Sequence, residues 1–300
     1  MKPRPTILKI AQWGQLTTLL LPVYLAQEAG FLDKAGIRLK YIPIGNADEI
    51  VNAVADGSCD LAMSGPTMPA LAEQAPYQMK VIASIVHRAA VHGLTANPVI
   101  HKIKTVQDFV GLRVATAPRP STAYSIMAAL KKRNRRLLKN MTLIEAPIGQ
   151  QIEYVRRGEA DLYIDQEPYV SAAEAKGYRV VFSAAEMFGP LSFTGLYGKT
   201  EILEAKKDAI TVLCKAVAKA CALIAAEPEK AAALTANIFK GLPPEIHRTA
   251  VMRLYASHVW PKNPVISKEA WNNAIGIRRD IGMRFVRNAW NVVDNSFNKA

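Results

Sequence analysis

One phrase occurs twice in this chain: Gly57-Ser58-Cys59-Asp60-Leu61 returns about a hundred residues later as Gly158-Glu159-Ala160-Asp161-Leu162. Each copy closes a helical stretch, opens a short apolar strand and leads to a proline, Pro66 or Pro168, that starts another helix. A period this long exceeds the roughly 20 to 50 residues of a solenoid unit. It predicts two lobes of similar design, and small ligands favour the cleft between such lobes. Asp60 and Asp161 look like catalytic acids, but each begins a strand after a glycine turn, which favours a role in the turn.

Alternation of short apolar strands with helical stretches runs from residue 7 to about 183, the pattern of an α/β fold with mostly parallel sheets. Strands are predicted at Ile7–Gln12, Ile37–Ile44, Asp60–Ser64, Met79–Val86, Leu112–Thr116, Met141–Glu145, Asp161–Ile164 and Arg179–Ser183. Among the helices between them are Pro66–Gln74 and Ser121–Arg136. After residue 200, apolar residues at three and four spacing predict a helical tail, including Lys206–Ala225 and Lys268–Asp280. Two extended stretches, His87–Ala96 and Leu191–Gly198, read as crossings between lobes. They divide the chain into a discontinuous first lobe, residues 1–90 with 190–300, and a second lobe, residues 91–189.

Composition narrows the classes. Half the residues are hydrophobic, enough for two cores. The apolar run Leu19–Ala26 is broken by Pro22 and is much shorter than the roughly 20 residues of a membrane span. Three cysteines give no disulfide framework. Cys214 and Cys221 stand about 10 Å apart along a helix, beyond bridging distance. The net charge of +13 suits an anionic ligand but does not by itself choose one. The run Lys131-Lys132-Arg133-Asn134-Arg135-Arg136, with Lys139, lacks interleaved aromatics and ends a helix, where cations complement the dipole. Nucleic acid is therefore not the expected partner. The start, Met1 to Thr6, has the charge of a secretory leader but runs at once into strand pattern; the protein is either cytosolic or secreted with its signal removed.

Ligands of open α/β sheets bind beyond the carboxyl ends of the strands, which singles out four loops. Gln12-Trp13-Gly14-Gln15 offers amides and an aromatic face. Ser64-Gly65-Pro66-Thr67 and Thr116 to Thr122 each read as a helix start able to hold an anion. Arg119 in the second adds a planar fork for carboxylate, sulfonate or phosphate. Asp165-Gln166-Glu167-Pro168 supplies carboxylates for an amine or hydroxyl. Each has a plainer alternative: Trp13 as core, Ser64 and Ser121 as caps alone, Arg119 as a solvent-facing side chain, Asp165 and Glu167 as partners of a helix dipole. His87, at the start of a crossing, is either a ligand contact or a structural hydrogen-bonding group.

At these residues the chain resembles the NMT1-like substrate-binding proteins of ABC importers for aliphatic sulfonates, taurine, nitrate and pyrimidine precursors of thiamine. The carriers are Pro22 to Leu32, Ala55 to Leu61, Lys104 to Val114, Gly158 to Pro168 and the closing Val293-Asp294-Asn295-Ser296-Phe297. The resemblance implies a two-lobed clamshell of the periplasmic-binding type (type II), two crossover strands and a ligand sealed between the lobes by hinge closure. It implies a monomer that meets an importer permease, touches the membrane only through it, works outside the cytoplasm and needs no cofactor, metal or catalytic residue. Ligand contacts carry over to Trp13, Gly14, Ser64, Gly65, Thr67, Ser121, Thr122 and Glu167. Asp165-Gln166 depart from the family, which commonly has an aromatic there. The rival is an enzyme on the same scaffold, since sulfinate desulfinases and pyrimidine-precursor synthases resemble these proteins. A desulfinase needs a thiolate in the cleft, and Cys59 precedes its strand at the opposite end.

Overall fold

The computed structural model describes residues 5–299; the basic start Met1–Arg4 and Ala300 lie outside the described residues. Among the described residues ten strands form two sheets. They are β1 Thr6–Trp13, β2 Ile37–Ile44, β3 Leu61–Ser64, β4 Met79–Arg88, β5 His92–Thr95, β6 Arg113–Thr116, β7 Thr142–Glu145, β8 Leu162–Asp165, β9 Arg179–Ser183 and β10 Pro190–Lys199. The first sheet has the order β2-β1-β3-β10-β4 and the second β7-β6-β8-β5-β9.

Each sheet is parallel except for one strand, β10 in the first and β5 in the second, and that strand lies beside the repeat strand β3 or β8. These are the two stretches read as crossings. The chain leaves the first sheet at Arg88, joins the second at His92, and returns after the helix Ala184–Phe188 to enter the first sheet as β10. The repeat strands are short and nearly wholly apolar because both their faces are covered.

The glycines of the inserted strands explain how closely they pack. A Cβ on Gly195, opposite Ser64, would stand 2.7 Å from the Ala83 carbonyl oxygen, and one on Gly93, opposite Ile164, would stand 3.0 Å from Phe182 Cβ. Only a residue without a side chain fits either place.

The helical tail covers the first sheet. Its longest member, Lys207–Ala226, is long and apolar enough to cross a membrane. Ile210, Leu213, Cys214, Val217, Cys221 and Ile224, at three and four spacing, form its buried face against the helix Leu21–Glu28 and its neighbours, which makes it a core helix.

One expected helix does not form. Pro66–Gln74 is instead a pair of 3-10 turns, Met68–Ala70 and Ala72–Tyr77. Pro69 and Pro76 each lack the backbone N–H an α-helix would use, so the segment breaks into short turns.

Candidate ligand-binding cleft

The carboxyl ends of β1, β2 and β3 meet those of β6 and β8 around a cavity of about 300 Å³. Trp13 and Gly14 after β1, Ser64 and Gly65 after β3, Ser121 and Thr122 after β6, and Asp165 at the end of β8 all line it. The walls between are apolar, with Leu19, Leu20, Met63, Val91, Ile164 and Phe193 among them.

Of the two loops expected to start an α-helix here, only the one in the second lobe does so; in the first lobe the capped start at the cavity is instead that of the helix Ala47–Ala55 after β2, where Asn46 Oδ1 accepts from Glu49 N at 2.9 Å. Ser121 Oγ accepts from Tyr124 N at 3.2 Å and caps the helix Thr122–Arg133. Ser64 caps no α-helix, because the proline-rich turns follow it.

Several residues read from the sequence as ligand contacts do not line the cavity. Gln12 lies within the first lobe, where its side-chain oxygen accepts from the Tyr24 hydroxyl at 2.9 Å. Thr67 is buried with an unpaired hydroxyl behind the wall. His87 Nε2 donates to the His258 carbonyl at 3.0 Å, and burial lowers its pKa. Arg119 is the largest correction. Its side chain is 66% exposed, and its guanidinium holds Glu145 at 2.8 Å, an acid placed by the end of β7. The Arg119 backbone N–H binds the same carboxylate at 2.9 Å, so the fork is occupied away from the cavity.

Glu167 is fully buried and serves as a tie. Its carboxylate accepts from Ser171 N at 3.0 Å, Ser171 Oγ at 2.9 Å and Arg253 Nε at 2.7 Å. Its carbonyl accepts from Thr17 Oγ1 at 2.9 Å and Thr18 N at 3.1 Å, which joins the second sheet's loop to the first. Arg253, from the tail helix Pro244–Ala256, also pairs with Glu174. On another flank Arg133 Nε meets Asp280 Oδ2 at 2.5 Å. The cleft is thus bridged in more than one place.

The cation inside the cavity is Arg278, which sequence reasoning missed. It lies in the last turn of the helix Lys268–Asp280 and is 5% exposed. Nη1 donates to the Pro120 carbonyl at 3.2 Å and Nη2 to Thr122 Oγ1 at 3.1 Å. Among the described residues it forms no ion pair with any carboxylate. Burial lowers its pKa to about 10, so it keeps its proton at neutral pH. The available signal was its place on the buried stripe Trp271, Ala274, Ile275, Arg278, where a charge needs a reason.

The second lobe's side of the cavity holds Asp165, whose Oδ1 accepts from Gln166 N at 2.8 Å. Burial, reinforced by the neighbouring charge of Glu167, pushes its carboxyl up to about 7. Gln151, also buried at the wall, has an unpartnered side-chain oxygen.

The cysteines lie elsewhere: Cys59 precedes β3 at its other end, and the Cys214 and Cys221 thiols are pushed up to about 12 by burial in the tail. No cluster of metal-binding side chains occurs among the described residues.

With this geometry in hand, the family model described as NMT1/THI5 like matches residues 17–231, more than half the chain. The chain belongs to that family. No curated protein matches it. Among solved structures, the ligand-binding component of an ABC-type import system from Staphylococcus aureus is 14% identical, with a TM-score of 0.75 over 98% of both chains. The alkanesulfonate-binding protein SsuA from Xanthomonas axonopodis pv. citri, bound to MOPS, is 17% identical, with a TM-score of 0.71 over 97% of this chain and 99% of that one. The desulfurization enzyme DSZB is 13% identical, with a TM-score of 0.66 over 97% of each. At such identities the likeness is one of fold: the two-lobed periplasmic-binding architecture.

Proposed function

We propose that this NMT1/THI5-like protein is the solute-binding component of an ABC importer and captures a small organic anion between its lobes. The observation that carries this reading is the cavity itself, set between the carboxyl ends of strands from both sheets, with hydrogen bonds crossing from one lobe to the other around it. The family match and the binding-protein folds among its structural neighbours support it.

The lobes divide as residues 1–90 with 190–300 against 91–189, and the links at Ala89–Val91 and around Gly189 act as the hinge. A ligand that touches both walls stabilises the closed arrangement by its extra contacts there, and a permease recognises that arrangement. Trp13, Gly14, Ser64, Gly65, Ser121, Thr122 and Asp165 form the contact set. The working location is outside the cytoplasm, and the protein acts as a monomer. Micromolar capture needs about 8 kcal/mol, which a few charge-assisted hydrogen bonds of about 1.5 to 3 kcal/mol each, with apolar burial, supply.

An enzymatic role gains no support from the cleft, whose lining includes no cysteine. The test is a thermal-shift screen of sulfonates, nitrate, taurine, aromatic carboxylates and pyrimidines, followed by a product assay with sulfinates. A saturable rise in melting temperature without product formation supports the reading; turnover of any of them refutes it.

A further inference from the structure

The buried, unpaired charge of Arg278 calls for a partner. We propose that Arg278 receives the oxyanion of the ligand, and that the ligand is an organic acid with an apolar body, a carboxylate or a sulfonate, rather than a bare inorganic anion. This rests on the solute-binding reading above.

A guanidinium withdrawn from water without a counter-charge is strongly destabilising. Of the other cations at the lobe boundary, Arg253 has Glu167 and Glu174 and the exposed Arg133 has Asp280, while the half-buried Arg88 donates to the Ala185 carbonyl; Arg278 is the most deeply buried of them. Arg278 has only neutral acceptors: Pro120 O, Thr122 Oγ1 and, at 3.6 Å, Met283 Sδ. Of its five N–H donors these engage two on Nη1 and one on Nη2, and others remain for a ligand at the cavity wall.

The surrounding backbone leaves space for that ligand. A Cβ on Gly65 would stand 3.1 Å from Arg278 Nη2 and 3.9 Å from Thr122 Oγ1. Any side chain at 65 would press on the guanidinium and fill the space beside it. The glycine and the arginine come from opposite ends of the sequence, and each makes sense in light of the other.

Position adds a second consequence. Arg278 belongs to the tail that packs on the first sheet, and its hydrogen-bond partners Pro120 and Thr122 belong to the second lobe. An anion on Arg278 therefore sits at the seam, where its contacts with Thr122 and the neighbouring amides exist only when the lobes are together. Charge recognition and closure are coupled through one side chain.

The apolar body follows from the remaining wall. A volume of about 300 Å³ is at the lower end of pockets that hold organic ligands, about 300 to 1,000 Å³. An inorganic oxyanion on Arg278 would leave Trp13, Leu20, Ile164 and Phe193 facing water, whereas a hydrocarbon or aromatic group buries them.

The test is calorimetric titration of the wild type, Arg278→Ala, Arg278→Lys and the control Arg119→Ala with hexanesulfonate, benzenesulfonate, benzoate, nitrate and neutral benzyl alcohol. The expected result is that at least one organic acid binds the wild type more tightly than nitrate or benzyl alcohol. Arg278→Ala then weakens that acid about 100-fold, Arg278→Lys weakens it less, and Arg119→Ala changes it less than threefold. Binding by Arg278→Ala within threefold of wild type overturns the assignment and leaves solute capture standing. Nitrate binding as tightly as the best organic acid overturns the apolar body. Failure of every compound to bind the wild type counts against solute capture itself. If Arg278→Ala does not fold, Arg278→Lys and the acid-to-alcohol preference of the wild type decide the same question.

Discussion

The two copies of the repeated phrase behave alike at one end of their strand and differently at the other. At the distal end, Asp60 N donates to the Lys9 carbonyl at 2.9 Å while its carboxylate accepts from Lys9 N at 2.9 Å. Asp161 does the same with Arg113, at 2.8 Å and 2.7 Å. Each aspartate fixes the start of the repeat strand to its parallel neighbour, and each adds a cation, Lys206 at 2.7 Å or the Arg113 guanidinium at 2.8 Å. At the cleft end the copies part. β3 ends in Ser64-Gly65 beside a buried arginine, and β8 ends in Asp165-Gln166 beside a second carboxylate. The duplicated half of the design holds the fold, and the half that differs carries the chemistry. An acid repeated in both lobes is for that reason a poor guide to function here.

The inserted strands give the severest test of this parity. Gly195→Ala places a Cβ 2.7 Å from the Ala83 carbonyl oxygen, while Gly93→Ala meets Phe182 Cβ, also fixed to its backbone, at the longer 3.0 Å and Leu162 Cδ1, which can turn aside, at 3.3 Å. Overpacking of this kind is destabilising by about 1 to 3 kcal/mol. Gly195→Ala should fall at the upper end of that range and Gly93→Ala at the lower, as read from urea unfolding midpoints. Equal losses would mean that both sheets relax alike.

The aspartates come next. Asp60→Ala leaves Lys9 N without its acceptor and should lower stability by about 2 kcal/mol. Asp161→Ala should cost about 1 kcal/mol, because its ion pair is more exposed. Neither should alter ligand affinity more than twofold. A large loss of binding with stability intact would return a ligand-binding role to these acids.

The smallest effect concerns pH and distinguishes the cleft ends. Asp165, pushed up to about 7, holds its proton more tightly in the folded chain than in the unfolded one, where a carboxylate titrates near about 3.9. Its contribution to stability is therefore full below about pH 4 and declines as pH rises toward 7. Asp165→Asn should reduce the loss of stability between pH 5 and pH 7.5, whereas Ser64→Ala, at the matching place in the first copy, should leave that slope unchanged. Denaturation at the two pH values measures both. An unchanged slope in Asp165→Asn would place the titration elsewhere.

Much of the scaffold was legible because its signals are local. Apolar runs bounded by Gly-x-x-Asp located β3 and β8, and the three and four spacing of the tail located Lys268–Asp280 to the residue. The direction and sheet of β5 and β10 were not legible, since alternation of side chains says nothing about which neighbour a strand joins. The helix expected after Ser64 does not form because Pro69 and Pro76 outweigh the helix-start signal of Pro66. At the site, the loops were legible from strand ends, but their polar groups were not all aimed where position implied. Arg119 is adjacent in sequence to the cleft and is taken by Glu145, a partner contributed by another strand. Arg278 is remote in sequence and reaches the cleft through tertiary packing. Its one local signal was a charge on an apolar stripe.

Hydrogen exchange in the presence of an organic acid that binds gives the most direct test, because it reads both ends of both copies at once. The account predicts protection at the cleft ends in both lobes, around residues 13–15, 64–66 and 120–123, with little change around 57–61 and 158–162. Protection confined to one lobe, or centred on the two Asp-Leu turns, would contradict capture between the lobes.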